Sequence, residues 1–227
     1  MNAFSSDGCR SVYDVTGRGP PVLLLHGFSQ DRRLWSHFGW VETLNRRGFL
    51  VINMDLRGCG ESDRPTQSAR YSAPSHIADV EAVLAACSLE HCTVWGWSFG
   101  GTLALHLAAA CGSATRALVA GTYFGAVFTD EYVNERMKVT KDEQTRARWQ
   151  GLRSWPKVEP SDVRCPTTVY SGTNDGNVVV KLEDQRDQIE ASNIHLRVFQ
   201  GLSHGELVSS VEMLEDFACS SLTGSTS

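Results

Sequence analysis

The segment VWGWSFGG, residues 94–101, sets Ser98 between glycines in a Gly-x-Ser-x-Gly pattern. A serine hydroxyl is a weak nucleophile at neutral pH. Chemistry at Ser98 therefore needs a base to take its proton and an acid to orient that base. Further along, GTNDGN offers Asp175 in a glycine-flanked loop, and QGLSHGEL offers His204. A hydroxyl, a carboxylate and an imidazole in that chain order are the parts of acyl transfer: attack, tautomer control and proton relay. A fourth stretch, LLLHGFSQ, turns at Gly27 so that the next amide, that of Phe28, can point into the same place. With the amide of Phe99, it would give two backbone donors for a developing oxyanion.

These groups can meet only if the chain carries them to one edge of a sheet. Short apolar runs alternate with longer helical patterns, the signature of a parallel sheet with crossover helices. Strands are expected at 10–15, 22–26, 49–54, 92–96, 116–121, 166–171 and 194–199, and helices at 32–47, 74–88, 99–111, 177–191 and 205–219. VLLLH and FLVINM are apolar without alternation, as strands covered on both faces should be. Ser98 then sits in a strand-to-helix turn sharp enough to need small neighbours. The free N–H groups of the following helix would favour negative charge beside it. Residues 1–122 and 161–227 form the expected core domain. Residues 123–160 are charge-rich and separate two strands by more than a simple connection requires, which suggests a lid of one or two amphipathic helices over the ligand edge. Phe128, Tyr132, Met137 and Trp149 are its candidate apolar contacts, and SSLTGSTS at the end reads as a frayed tail.

The other histidines fit the base less well. His195 begins its strand, at the opposite sheet edge. His106 lies inside the helix after Ser98, His37, His76 and His91 read as surface, and His26 precedes the acid and the serine. Among the carboxylates, Asp162 and Asp184 fall before and after the relevant loop, and Asn174 cannot carry the charge that stabilises an imidazolium. Aromatic residues near the motifs, Phe28, Trp97, Phe99, Tyr123 and Phe124, offer an apolar acyl or aryl pocket as well as core packing. Trp97, Tyr123 and Phe124 are its candidate lining.

Composition narrows the class. With 227 residues, 41% hydrophobic and 21% charged, the chain can bury a substantial core as one α/β domain. A net charge of −5 argues against nucleic acid or an anionic membrane as the main partner. No apolar run approaches the ~18 residues of a spanning helix. The N-terminus does not read as a signal peptide. The seven cysteines, at 9, 59, 87, 92, 111, 165 and 219, form no CxxC pair, and no metal-ligand spacing appears. Reduced thiols, a cytoplasmic location, no metal and no cofactor are expected.

With HGF, GWSFGG, GTND and SHG in order, the chain resembles the α/β-hydrolase superfamily over nearly its whole length, in a serine esterase-like branch with a short lid. DLRGCGESDRP at 55–65 is similar to that family's D-x-R-G-x-G-x-S-D loop, with Cys59 where the family has His. The resemblance implies an α/β fold with a mostly parallel sheet, Ser98 as nucleophile, Asp175 and His204 as its partners, and Phe28 and Phe99 as oxyanion amides. It makes the 55–65 loop structural. The haloalkane dehalogenase and epoxide hydrolase branches carry Asp at the nucleophile, and Ser98 speaks against both chemistries. The expected activity is hydrolysis of a small carboxylic ester, lactone or thioester through an acyl-enzyme. The alternatives are carbon–carbon bond hydrolysis, perhydrolysis or acyl transfer at the same site, or a ligand receptor without turnover. The sequence does not set the oligomeric state.

Overall fold

A strand covered on both faces sends alternate side chains to opposite layers, and VLLL does so. Val22 and Leu24 pack with Trp35, Trp40 and Trp95, whereas Leu23 and Leu25 pack with Val80, Leu103 and Val119. In the computed structural model, which describes residues 1–110, 112–192 and 194–222, these clusters fill the two faces of one sheet. Its strands are β1 (Asn2–Phe4), β2 (Arg10–Gly17), β3 (Pro21–Leu25), β4 (Leu50–Met54), β5 (Cys92–Trp97), β6 (Ala114–Ala120), β7 (Thr167–Asn174) and β8 (Ile194–Ser203). They lie in the order β1-β2-β4-β3-β5-β6-β7-β8. The first two pair antiparallel, and β4 through β8 are parallel. The fold is α/β with a mostly parallel sheet, as the alternation of runs predicts.

Helices cover both faces. One layer holds α1 (Arg33–His37), α2 (Trp40–Arg46), α9 (His204–Ser209) and α10 (Val211–Leu222). The other holds α3 (Ala73–Ala86), α4 (Phe99–Ala109), α7 (Asn177–Asp184) and α8 (Arg186–Glu190). Three expected helices are broken. Gly39 takes φ +75° between α1 and α2, Gln185 leaves helical geometry between α7 and α8, and Ser210 is extended between α9 and α10, accepting from the Met213 amide at 3.2 Å. The edge strand β1 is too short to show a pattern in sequence. The expected tail begins as helix, since α10 runs to Leu222, and residues 223–227 lie outside the described residues, as does Cys111. Among the described residues Cys9, Cys59, Cys87, Cys92 and Cys165 form no disulfide, and no helix is long and apolar enough to cross a membrane.

The segment 123–160 contains α5 (Asp130–Val139) and α6 (Glu143–Leu152). Each has a side-chain N-cap: Thr129 accepts from the Tyr132 amide, and Asp142 from Thr145 at 2.7 Å. An antiparallel bridge between Gly125 and Val158 ties the two ends of the segment together. Its buried anchors are Val133, Trp149 and Leu152; Phe128 and Met137 are half-buried, and Tyr132 is exposed.

The 55–65 loop is built on ion pairs. Asp55 accepts from the Arg32 and Glu61 amides, each at 2.8 Å, and pairs with the Arg32 guanidinium. Arg57, with no exposed side-chain surface, grips Asp79 through Nε and Nη2 at 2.8 and 2.7 Å, and reaches Asp7 and the Arg70 carbonyl at 2.6 Å.

Candidate active site

Ser98 follows the last residue of β5 and caps α4, with φ 57° and ψ −116°. A non-glycine residue there is strained by about 1–3 kcal/mol, and the surroundings must impose it. They do so from two sides. The Ser98 amide donates to Ala120 at 2.8 Å. On the other side α4 presses against β3 so closely that a Cβ on Gly100 would stand 2.0 Å from the Leu25 carbonyl oxygen. The turn thus projects the serine side chain above the sheet edge, with the N-terminus of α4 behind it.

Parallel strands bring the other groups to that edge. Asn174 of β7 pairs with Ser203 of β8. Asp175 and His204 are the next residues of their strands, and a register shift between Gly172 and Asn174 makes them neighbours, since unbroken pairing from Gly172–Phe199 would set Leu202 opposite Asp175. His204 Nδ1 lies 2.8 Å from Asp175 Oδ1, and His204 Nε2 lies 3.0 Å from Ser98 Oγ. Asp175 is buried, which strengthens its hold on the ring, while the His204 side chain keeps 43% exposure and is open to an incoming ligand. A capping box, with Glu206 accepting from the Ser203 amide at 2.8 Å, starts α9 at His204. Two residues that the sequence does not mark as supports hold the ring. The Trp97 indole donates to the His204 carbonyl at 3.0 Å. Gly121, at φ +66°, leaves room for the imidazole, because a Cβ there would come within 2.9 Å of Cε1. Its only mark in the sequence is a glycine ending a strand.

Gly27 passes close to the serine; a Cβ on it would lie 3.5 Å from Ser98 Cβ. Among the described residues neither the Phe28 nor the Phe99 amide donates to a protein acceptor, so both remain available. His26 fixes the turn between them. Its Nδ1 faces the Gly27 carbonyl at 2.8 Å, so it carries the hydrogen, and Nε2 accepts from the Leu56 amide at 3.0 Å. That double engagement requires a neutral ring, and burial pushes its pKa down to about 4.

α6 covers Phe28. The Trp149 ring stacks on it at 3.9 Å, and the Arg148 guanidinium lies over it at 3.7 Å and donates to its carbonyl at 2.7 Å. Arg148 escapes notice in the sequence, where it is one charge among several on an amphipathic helix. Beside it opens a cavity of about 450 Å³ lined by polar groups, with Phe28, Cys59 and Arg148 among them. Cys59 is a buried thiol 3.3 Å from the Phe28 carbonyl, and burial pushes its pKa up, away from thiolate reactivity. Trp97, Tyr123 and Phe124 do not line this cavity. Trp97 and Phe124 are buried among core side chains, and Tyr123 packs half-buried against the core.

The histidines expected elsewhere hold their places with one correction. His76 is not on the surface: it is 1% exposed, enclosed by Tyr71, Phe99 and Trp155, because α3 turns that face inward. Among the described residues there is no group of three or more His, Cys, Asp or Glu side chains placed to hold a metal ion.

Known proteins with this fold are many. A family model described as the alpha/beta hydrolase fold matches residues 20–120, from β3 through Ser98 to the end of β6. The chain is 36% identical over 94 residues to the AB hydrolase superfamily protein YisY of Bacillus subtilis, a match covering 41% of this chain and 33% of that protein. It thus spans about a third of that relative's length. Among solved structures, one from work on carboxylesterases of the thaumarchaeon Nitrososphaera gargenis superposes with a TM-score of 0.78 at 18% identity, covering 98% of this chain and 97% of that one. Another, from work on epoxide hydrolases in metagenomes from hot environments, has a TM-score of 0.77 at 17% identity and covers 100% and 98%. The strand order, the serine turn between β5 and α4, and these likenesses together give the chain the α/β-hydrolase fold.

Proposed function

We propose that the chain is a serine hydrolase that cleaves a carboxylic ester, or a lactone or thioester, through an acyl-enzyme on Ser98. The observation that carries this reading is the continuous line from Asp175 through His204 to Ser98, with contacts of 2.8 and 3.0 Å. His204 takes the Ser98 proton as Oγ attacks the carbonyl. Asp175 holds Nδ1–H and stabilises the imidazolium. The Phe28 and Phe99 amides receive the tetrahedral oxyanion; loss of one such donor costs about 2.7–4 kcal/mol of transition-state stabilisation. His204 then protonates the leaving group, and water activated by the same ring releases the acid. Residues 123–160 act as the lid, since α6 packs on the loop that carries one oxyanion donor.

Epoxide hydrolases among the relatives do not shift this reading. Epoxide opening by a serine hydroxyl would leave an ether, which has no carbonyl for water to attack. Acyl transfer leaves an ester that water can cleave. Carbon–carbon hydrolysis, perhydrolysis and acyl transfer use the same three side chains, and profiling of substrates and acceptors separates them.

The decisive experiment is hydrolysis of p-nitrophenyl acetate, butyrate and octanoate by wild type and Ser98→Ala. Turnover should fall by roughly 10⁴- to 10⁶-fold in the variant, with fluorophosphonate labelling of wild type alone. Absence of both turnover and labelling in wild type would leave a ligand receptor on this scaffold.

A further inference from the structure

The cavity beside Phe28 is lined by two guanidiniums that, among the described residues, pair with no carboxylate. It lies where the 28–33 turn, the 55–64 loop and α6 meet. Three carboxylates line it, and each is already engaged: Asp31 by Arg33, and Asp55 and Glu61 by Arg32. The unpaired two, Arg64 and Arg148, line the same space. Among the described residues neither is in an ion pair, and Arg64 reaches only the Gly60 carbonyl, at 3.0 Å.

Arg148 is 4% exposed. Its Nη1 donates to Phe28, whereas Nε and Nη2 have no hydrogen-bond partner. Those two nitrogens form one edge of the guanidinium plane, the edge that a carboxylate grips with two parallel hydrogen bonds. The Cys59 thiol beside it is a weak, neutral acceptor. The Phe28 ring and the Phe99 ring, 3.7 and 5.1 Å from the guanidinium carbon, favour the cation but accept no strong hydrogen bond. A guanidinium cannot shed its proton to escape burial, so an anion is what completes the site.

We propose that this cavity is a carboxylate-binding site, with Arg148 as the bidentate ligand and Arg64 at its mouth. Resting on the hydrolase reading, the proposal makes the substrate an ester that carries a second, anionic carboxylate on its acyl part. Phe28 joins the two places: Gly27 before it passes beside Ser98, and its own ring and carbonyl hold Arg148.

The test compares p-nitrophenyl hemiadipate with p-nitrophenyl hexanoate, acyl chains of equal length with and without the terminal carboxylate. Wild type should favour the hemiadipate by roughly tenfold or more in kcat/KM. In Arg148→Met that ratio should fall roughly 10- to 100-fold, whichever rate moves, and Arg64→Gln should lower it less. In parallel, free adipate should raise the melting temperature of wild type and not that of Arg148→Met. If adipate stabilises in an Arg148-dependent way while the esters are not distinguished, the site stands and its ligand is a separate small carboxylate. If no ester turns over at all, the hydrolase reading fails, and the adipate shift alone decides the site. Equal turnover of both esters, with no Arg148-dependent shift, overturns the proposal. Should Arg148→Met fail to fold, Arg64→Gln carries both measurements.

Discussion

Arg57, in the loop after β4, and Arg148, in α6, are both buried arginines, and their neighbours could hardly be less alike. Arg57 meets two carboxylates, a serine hydroxyl and two backbone carbonyls, so each of its nitrogens is engaged. Arg148 has one carbonyl, one thiol and two aromatic rings. Removing a charge from water is costly, and a protein recovers the cost only by surrounding that charge with acceptors. Arg57 follows that rule and knits the N-terminal hairpin to α3. Arg148 breaks it, beside a cavity and within reach of the Phe28 turn. The difference separates an arginine that holds the fold from one that waits for a ligand.

The comparison can be broken at several points. Arg57→Met should be the most damaging, losing about 3–5 kcal/mol in urea unfolding, because Asp79 would stay buried without its partner. A midpoint equal to that of wild type would remove the contrast.

Buried imidazoles sharpen it from another side, since they can discard a proton where arginine cannot. Burial first, ahead of any charge neighbour, pushes His26 down to about 4, His76 to about 3 and His106 to about 4. An unfolded imidazole titrates near 6.5, so below that pH the unfolded chain takes up protons that the folded chain refuses. Stability should therefore be complete above pH 6.5 and fall as the pH drops toward 4. Each ring should account for about 2 kcal/mol by pH 5. Urea titrations at pH 7.5 and 5 measure it, and a flat profile would mean that these rings take up protons in place.

The smallest effect belongs to Arg148→Met. It should be at least as stable as wild type, with a gain of up to about 2 kcal/mol, because a partnerless charge gives way to an apolar side chain of similar length. A large loss would show that Arg148 holds the fold as Arg57 does.

Much of this architecture is legible in the residues alone. Alternating strand and helix runs set the α/β class, and GWSFGG between a strand and a helix puts Ser98 at the sheet edge. Asp175 and His204 follow from lying just past neighbouring strands in the right chain order; the register shift that aligns them is not legible in the residues. What stays hidden depends on contacts distant in the chain. Arg148 is 120 residues from the Phe28 carbonyl it holds, and nothing in its own helix tells it from a solvated arginine. His76 looks like a polar residue near a helix start until Trp155 and Phe99 close over it. The break at Gly39 has its signal, a glycine within a helical run. The break at Ser210 has a weaker one, a serine able to cap the helix that follows, and the break at Gln185 has none.

His204 stands 106 residues after the serine it faces, directly behind the last strand of the sheet. A ribosome adding roughly 5–20 residues per second takes about 5–20 s to cover that interval. During that time a nascent chain carries Ser98 and not yet the histidine that the proposed mechanism gives it as a base. In the proposed mechanism the reactive centre is therefore switched on by completion of the sheet, which keeps Ser98 a weak nucleophile while the chain is unfinished.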